Sequence, residues 1–387
     1  MVTQQMYDGY LNAFGPAKPA ARFFHAPGRV NLIGEHTDYN GGYVFPCALS
    51  LGTYGAACGN NDGIIRLASG NDSLRAEFDL RGGLSRDVKR GWANYPLAVV
   101  SEMEKLGCKT GGFNLYVAGD VPSGTGLSSS ASLEMLTAVA VNSLFGFGLN
   151  MLDLVKLSQR AENNFVGVNC GIMDQFASGF GKAGSAVLLQ CQSLEYRYVP
   201  LDLRDCVIII ANTNKPRGLA DSKYNERRGE CAAAFDTLKK YVDADSLCGI
   251  SPEDFEKNRK KIGNETVARR AAHAVYENAR TLQAVGALTN GELECFGKLM
   301  NDSHVSLRDL YEVTGAELDA LAGAAWQTEG CVGSRMTGAG FGGCTVSIVR
   351  ATAVNKFKEK VGAEYKIKTG LDASFYTAET GDGAREI

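Results

Sequence analysis

The 387-residue sequence predicts an α+β fold divided into two domains. Strand-like runs and segments with helical spacing of apolar residues are interleaved in both halves, which is typical of mixed folds. The second half is richer in helical patterns, and this change falls near residues 202–204. We therefore expect domains at residues 1–203 and 204–387, a length sufficient for two cores. The two domains are expected to share a cleft.

The first half begins with short apolar runs typical of strands. These runs cover residues 23–26, 30–34, 43–49, 64–68 and 113–117. Helical spacing marks residues 95–106, 130–145 and 153–167, and Gly167 is a suitable residue to end the last of these helices. Strand-like segments follow at residues 186–191 and 196–199.

The second half opens with a continuous apolar run at residues 207–211, which predicts a buried strand. A charged helical pattern follows from residue 222 to about residue 247, and long helical stretches continue to about residue 323. The remaining pattern predicts a strand at 344–350, a helix at 353–365 and a strand at 373–377.

Composition limits the classes of function. The net charge is −3, which argues against a surface that binds nucleic acid or anionic membranes. No apolar segment is long enough to span a bilayer, and no signal peptide is visible. Eleven scattered cysteines without a Cys-x-x-Cys pair indicate free thiols rather than disulfides or a structural zinc site. We expect a cytoplasmic protein that is a monomer.

A loop of small residues is the most informative motif. Residues 122–132 read Pro-Ser-Gly-Thr-Gly-Leu-Ser-Ser-Ser-Ala-Ser and lead directly into the helical pattern that ends at residue 145. Backbone N–H groups clustered at the start of a helix favour an anion, most often phosphate. The alternative is an ordinary Ser/Gly turn with a serine N-cap.

Two glycine patterns match the dinucleotide-binding spacing Gly-x-Gly-x-x-Gly, at residues 338–343 and 179–184. Both are followed by strand-like runs, whereas the dinucleotide motif must open a helix. We therefore interpret these glycines as residues of turns that need positive φ. No Walker A motif occurs in the chain.

A second motif concentrates polar side chains near the first strands. Arg29, Glu35, His36 and Asp38 lie within ten residues. Such a density of acceptors suits the hydroxyl groups of a sugar. A polar loop in which Asp38 and Asn40 form a turn explains the same pattern equally well.

Two further carboxylates are candidates for chemistry. Asp174 lies among apolar residues, where it could be held near a reacting hydroxyl. An aspartate at the start of a helix is a common structural feature and is the alternative. For Glu162, the default interpretation is a solvated helix residue. Tyr224 and Trp92 would each be taken for a half-buried packing aromatic.

Four segments together carry a resemblance to a known family. Residues 27–39, 122–132, 171–175 and 336–344 resemble the signature of galactokinases, within the GHMP family of small-molecule kinases. The first segment resembles the galactokinase-specific signature, the second the nucleotide phosphate loop and the fourth the glycine-rich third motif. The resemblance implies a mixed α/β N-terminal domain and a ferredoxin-like C-terminal domain with the active site between them.

The resemblance also implies roles for individual residues. Asp174 matches the carboxylate beside the anomeric hydroxyl of the sugar, and Arg29 matches the arginine next to that carboxylate. Ser130 and Glu162 match magnesium ligands, and Trp92 matches an aromatic near the adenine. The sugar-binding positions are Glu35, His36, Asp38, Gly171 and Tyr224. The phosphate-loop positions are Pro122, Ser123, Gly124, Thr125, Gly126, Leu127, Ser128, Ser129 and Ser130.

The implied activity is phosphorylation of the C1 hydroxyl of galactose by ATP with Mg²⁺, giving galactose 1-phosphate and ADP. Phosphoryl transfer depends mostly on positioning and charge neutralisation, which suits these groups. Asp174 could act as a base or only orient the hydroxyl. The rivals are a sister kinase for N-acetylgalactosamine and a regulator without turnover. The intact Ser130-Ala131 pair favours the enzyme.

Overall fold

A computed structural model describes residues 2–121, 126–215 and 220–387. The strands are β1 (Arg22–Asn31), β2 (Tyr43–Val44), β3 (Pro46–Gly59), β4 (Ile64–Ser69), β5 (Ala76–Asp79), β6 (Phe113–Gly119), β7 (Ser185–Gln190), β8 (Tyr196–Pro200), β9 (Cys206–Asn212), β10 (Cys331–Thr337), β11 (Cys344–Arg350), β12 (Ser374–Ala378) and β13 (Arg385–Glu386). The α-helices are α1 (Val2–Phe14), α2 (Asn94–Lys105), α3 (Ser129–Phe145), α4 (Met151–Arg160), α5 (Met173–Phe180), α6 (Ala220–Leu238), α7 (Pro252–Asn258), α8 (Glu265–Thr289), α9 (Leu293–Ser306), α10 (Gly315–Trp326) and α11 (Val354–Thr369).

The first half is organised around a sheet with the strand order β13-β1-β3-β6-β4-β5. Only β4 and β6 pair in parallel, and the other neighbours are antiparallel. Helices α3 and α5 pack on β1 and β3, so one face of the sheet is covered by a large apolar core. A smaller sheet, β2-β7-β8, extends this half toward the second.

Strand β1 differs from the sequence-based prediction. Two strands were expected at residues 23–26 and 30–34, but the chain forms one strand from Arg22 to Asn31. Its pairing with β3 shifts register between Pro27 and Arg29, so the Pro-Gly interruption is a bulge and not a break. The prediction that strand structure reaches Gly34 was wrong, because Gly34 has a φ of 94°.

The second half contains an antiparallel sheet with the order β10-β11-β9-β12. Strand β9 is central and apolar on both faces, as its continuous apolar run predicted. Ile208 and Ile210 point into a core shared with α8 and α9. Ile209 and Ala211 point into a second core with α10 and α11. The alternation of side chains along one strand therefore connects two helical layers.

The two halves share apolar packing and chain connections. One core joins Val30 and Phe45 of the first half to Ile208, Val346 and Phe296 of the second. Beyond β12, β13 returns to the first sheet and pairs with β1. The division into domains at residues 203 and 204 remains a prediction.

Several helices end differently from the sequence pattern. The helix expected at residues 153–167 is α4 followed by a π-helical turn, Ala161–Val166, with Gly167 in the left-handed conformation after it as predicted. The helix expected to reach residue 247 ends at Leu238, so that prediction was wrong beyond α6. Within the described ranges, no helix has the length and apolar character needed to cross a membrane.

Candidate active site

A cavity of about 330 Å³ opens between the two halves. Its walls come from β1 and the loop after it, the loop before α3, the π-turn after α4, the start of α5, α6 and the loop after β10. Most of the site residues predicted from the sequence meet there. The predicted residues that line the cavity are Arg29, Glu35, His36, Asp38, Gly126, Ser128, Ser129, Ser130, Glu162, Gly171, Asp174 and Tyr224.

Asp174 and Arg29 form an ion pair in this cavity. Asp174 lies in the first turn of α5, and Arg29 follows the bulge in β1. Arg29 Nε and Nη2 lie 2.9 and 2.6 Å from Asp174 Oδ1. Arg29 Nη1 donates to the carbonyl oxygen of Gly126 at 2.6 Å, and the buried guanidinium is thereby fixed. The guanidinium therefore holds the carboxylate of Asp174 in one orientation at the cavity wall.

Ser128 holds the other oxygen of Asp174. Its Oγ donates to Asp174 Oδ2, while its backbone adopts the left-handed conformation with a φ of 60°. Because this hydroxyl is engaged with Asp174, α3 begins without a side-chain cap. The first N–H groups of α3 are therefore not satisfied by a capping side chain, as an anion site requires. Residues 122–125 of the predicted phosphate loop lie outside the described residues.

Glu35 is buried and bound from the second half of the chain. Its Oε1 accepts hydrogen bonds from the backbone N–H of Gly338 at 2.8 Å and from the hydroxyl of Thr337 at 3.3 Å. Arg335 Nη1 lies 3.4 Å from the same oxygen. Burial raises the pKa of Glu35, and the positive charges of Arg335 and Arg29 oppose that shift.

His36 lines the cavity with both ring nitrogens already engaged by the protein. Nε2 lies 3.2 Å from the carbonyl oxygen of Ala339, and Nδ1 lies 2.7 Å from the hydroxyl of Tyr39. Burial lowers the pKa of His36 to about 3, so the ring is neutral. The neutral ring then donates from Nε2 and accepts at Nδ1. What it presents to a ligand is ring surface, beside Tyr224 and Tyr311.

Asp38 stands against Gly171 and near Asp174. A Cβ atom at Gly171 would collide with the carboxylate of Asp38, so a larger residue there would displace Asp38 from its present position. Burial and then the charge of Asp174 raise the pKa of Asp38 to about 7. Tyr224, at the start of α6, lies across the cavity with its ring 5.3 Å from that of Tyr39. The cavity therefore offers carboxylate oxygens and a phenol hydroxyl to a polar ligand.

Ser130 and Glu162 come from different helices and meet in the fold. Ser130 is in the first turn of α3, and Glu162 lies in the π-turn after α4. Glu162 is buried, contrary to the default interpretation of a solvated glutamate. Burial and the charge of Asp174 raise its pKa to about 7, against hydrogen bonds that include one from Ser130. This position within a π-turn is typical of functional sites.

These two oxygen donors fit a magnesium ion. Mg²⁺ prefers hard oxygen ligands and is usually held by one or two protein groups together with substrate phosphates and water. Within the described ranges, no group of three or more His, Cys, Asp or Glu side chains forms an all-protein metal cage. A hydroxyl and a single carboxylate beside the start of α3 match the first arrangement.

Two predicted nucleotide residues lie apart from the cavity walls. Leu127 is buried in the core, and its carbonyl oxygen accepts from the N–H of Arg29 at 3.1 Å. Trp92 packs against the first core and does not line the cavity. Tyr95, three residues later, does line it. The placement of Trp92 near an adenine stays a prediction.

Two residues that contact the loop after β1 carried no signal in the sequence. Tyr311 and Arg335 lie at positions that the sequence pattern marks as ordinary core or strand residues, and they contact Tyr39 and Glu35. Gln175 and Glu134 lie behind Glu162, fully buried. Burial and the charge of Glu162 raise the pKa of Glu134 well above its usual range. Gln175 ends the third segment of the family resemblance, but its partners could not be predicted from the sequence.

Three known protein families match segments of this chain. The family "GHMP kinases N terminal domain" matches residues 94–182, and the family "GHMP kinases C terminal" matches residues 284–367. The description "Galactokinase galactose-binding signature" matches residues 9–58, which include Arg29, Glu35, His36 and Asp38.

Individual relatives are similar over nearly their full length. The galactokinase of Clostridium beijerinckii is 52% identical over 374 residues, covering 96% of each chain. The galactokinase of Bacillus subtilis is 51% identical, covering 98% of this chain and 97% of that protein. The crystal structure of Lactococcus lactis galactokinase complexed with galactose matches with a TM-score of 0.97, 45% identity and full coverage of both chains. Methanococcus jannaschii mevalonate kinase, at 19% identity, shares the fold with a TM-score of 0.66, covering 94% of this chain and 99% of that one.

Proposed function

This chain belongs to the galactokinases of the GHMP kinase family, and we propose that its cavity binds galactose between Asp38 and Asp174 with ATP alongside. The enzyme transfers the terminal phosphoryl group of ATP to galactose. A new bond forms between the C1 oxygen of the sugar and the γ-phosphorus, while the bond from that phosphorus to the β–γ bridging oxygen breaks. The products are galactose 1-phosphate and ADP.

The pairing of Asp174 with Arg29 is the observation that carries this proposal. The carboxylate lies at the cavity, fixed on one oxygen by Arg29 and on the other by Ser128. A carboxylate held in this way can accept the hydrogen bond of the anomeric hydroxyl and align its oxygen with the γ-phosphorus. The proton of that hydroxyl passes to Asp174 or to an oxygen of the transferred phosphoryl group, and in a loose transition state this transfer can come late.

Arg29 has a second role in this proposal. Its guanidinium spans Asp174 and the carbonyl oxygen of Gly126, which places it between the sugar side and the phosphate loop. A preorganised cation at this position offsets negative charge on the transferring phosphoryl group. Arg29 therefore orients the carboxylate of Asp174 and stabilises the transition state.

The sugar hydroxyls are read by side chains that the fold has already ordered. Glu35 is held through Oε1 by the loop after β10, and Asp38 is confined by Gly171. Tyr224 adds a hydroxyl from α6, while His36 contributes its ring surface. Buried polar groups of this kind reject a ligand that leaves them without partners.

ATP is bound with its phosphates at the start of α3, where the helix dipole and uncapped N–H groups favour negative charge. Ser130 and Glu162 are the proposed ligands of Mg²⁺. When bound, Mg²⁺ would neutralise charge on the β- and γ-phosphates. We assign the adenine to the side of Trp92 by resemblance alone.

Two further proposals concern the oligomeric state of the enzyme and its location in the cell. The enzyme is proposed to act as a monomer. Within the described residues no disulfide joins any of the cysteines, and the reducing cytoplasm is the proposed location.

A coupled ADP-release assay with three sugars tests the function. Galactose is expected to be the substrate, and glucose, which differs at the C4 hydroxyl, should be at least about 100-fold poorer in kcat/KM. N-acetylgalactosamine should be excluded by bulk at C2. Comparable turnover of N-acetylgalactosamine would identify the sister kinase, and ATP binding without turnover of any sugar would identify the regulator.

A further inference from the structure

The side chain of Gln175 joins the two elements that carry the proposed metal ligands. Gln175 follows Asp174 on α5 and is completely buried. Its Nε2 donates to Glu162 Oε2 at 2.7 Å and to Glu134 Oε2 at 3.0 Å. One amide nitrogen therefore uses both of its protons on two carboxyl groups.

Glu134 makes this connection part of the phosphate-loop helix. It lies four residues after Ser130 on α3, which places both on one face of the helix. Glu162 belongs to the π-turn after α4. The amide of Gln175 thus ties the face of α3 that carries Ser130 to the turn that carries Glu162.

Two hydrogen-bond donors contact the same carboxylate oxygen of Glu162. Gln175 Nε2 and the thiol of Cys170 both approach the same oxygen, Oε2, at 2.7 and 3.4 Å. The other oxygen, Oε1, is free of these two donors. A donor fixed on one oxygen sets the rotation of the carboxylate plane and leaves the second oxygen for another partner.

We propose that Gln175 is a positioning residue for the metal site, holding Glu162 through Oε2 so that Oε1 faces the metal beside Ser130. This inference rests on the proposed role of Glu162 as a magnesium ligand. Partners of this kind behind a ligand commonly change metal affinity 10- to 100-fold when they are removed. Because Asp174 and Gln175 are consecutive on α5, the same short helix orients the sugar-side carboxylate and the metal-side carboxylate.

The experiment compares Gln175→Met with Glu162→Gln. Methionine keeps the length of the side chain and cannot donate. The dissociation constant of MnADP, followed by the EPR signal of Mn²⁺, should rise at least about 10-fold in Gln175→Met. The dissociation constants of ADP in EDTA and of galactose without nucleotide should change by less than about 2-fold. Unchanged MnADP binding in Gln175→Met, with weaker binding in Glu162→Gln, overturns the inference.

Two further variants control the result. Gln159→Met is the matched substitution on α4, where Gln159 Nε2 donates to the carbonyl oxygen of Cys170 at 3.5 Å, and this variant should bind MnADP normally. If Gln175→Met fails to fold, Gln175→Asn takes its place in the test. Asparagine keeps the amide, but its shorter side chain cannot reach both carboxyl groups, so this variant should also bind MnADP more weakly. Normal MnADP binding by Gln175→Asn overturns the inference in that case. If Glu162→Gln also binds MnADP normally, the proposed metal ligand is wrong and the inference falls with it.

Discussion

At the scale of single residues, Asp174 is held from both sides. Arg29 fixes Oδ1 and Ser128 fixes Oδ2, so the carboxylate has little freedom to rotate. The sequence left open whether this aspartate was a common helix-start residue or a functional group. The structure places it in the first turn of α5 and also at the cavity wall, and its catalytic role stays a proposal.

Asp174→Asn separates these roles. Asparagine keeps the volume and removes the charge, so we expect a folded protein with kcat lowered at least about 100-fold. Steady-state kinetics and thermal melting measure the two effects. Asp153→Asn, in the first turn of α4, is the control for loss of a helix-start charge and should keep normal kcat. Near-normal kcat in a well-folded Asp174→Asn protein would refute the assignment.

Gly171→Ala tests the sugar side of the cavity. The new Cβ would lie 1.8 Å from Asp38 Oδ2, so Asp38 must move from its present position. We expect the dissociation constant of galactose to rise at least about 10-fold, with ADP binding unchanged, because a polar contact is lost. Gly323→Ala in α10 is the matched control, since nothing lies within 4 Å of its Cβ position. Calorimetry on both variants decides, and equal galactose affinity would contradict the proposed position of the sugar.

The limits of sequence reasoning are visible at individual residues. The motif around Arg29 and Asp38 predicted a shared site because its residues are close in the chain. The contacts of Gln175 and Arg335 could not be predicted in the same way. Their partners Glu162, Glu134 and Glu35 come from separate elements and meet only through tertiary folding. Glu162 itself read as solvated because a helix pattern does not reveal that a π-turn will bury it.

At the scale of elements, β1 carries a buried group that is sensitive to acid. His25 is 5% exposed, and neither ring nitrogen has a hydrogen-bond partner within the described ranges. Burial, followed by the charge of Arg385, lowers the pKa of His25 to about 4. In the unfolded chain this histidine has its ordinary pKa near 6.5.

Between pH 6.5 and 4, the unfolded chain therefore binds a proton at His25 that the folded protein does not. His25 lowers the free energy of unfolding by about 1.4 kcal/mol for each pH unit of acidification in this range. We expect His25→Phe to remove this part of the pH dependence, as measured by urea unfolding at pH 7.5 and 5.0. Tyr54→Phe, which alters the ring packed on His25, should keep it. Equal slopes for His25→Phe and the parent protein would contradict this, because they would mean that His25 has the same pKa in the folded and unfolded chain.

The type of an element, helix or strand, was predicted correctly where its sequence showed one clear pattern of apolar residues. Strand β9 followed from its unbroken apolar run, and α3 from its helical spacing. The element boundaries that were predicted wrongly are set by contacts with neighbouring elements, which the local sequence does not show. Strand β1 continues through Pro27 because β3 resumes pairing after the bulge, and α6 stops at Leu238 although the charged pattern continues.

At the scale of the whole molecule, the last residues of the chain connect the two halves. After β12 in the second sheet, residues 379–387 run along the first sheet and the end of α5. Main-chain hydrogen bonds join Ser50 to Glu379, Gly381 to Ala48, Gly383 to Gly181, Ala384 to Ser178 and Ile387 to Phe23. This segment supports the helix whose first turn holds Asp174.

Deleting residues 379–387 should lower stability by at least about 3 kcal/mol, because each lost main-chain hydrogen bond contributes about 0.5–1.5 kcal/mol. Thermal and urea unfolding measure the effect, and galactose binding should weaken with it. Glu386→Gln removes the exposed ion pair with Arg22, can keep an acceptor for the hydroxyl of Ser143, and should cost less than about 1 kcal/mol. A deletion that melts like the intact protein would show that the segment only lies on the surface.

The pairing of β13 with β1 also orders events during protein synthesis. Arg22 and Glu386, which meet at this edge, are 364 residues apart in the sequence. While a ribosome is still translating the second half, β1 has no partner on that side and presents an open strand edge. Open edges pair readily with other chains. Interrupted translation products that end before β13, including a fragment of residues 1–203, should therefore aggregate more readily than the finished chain.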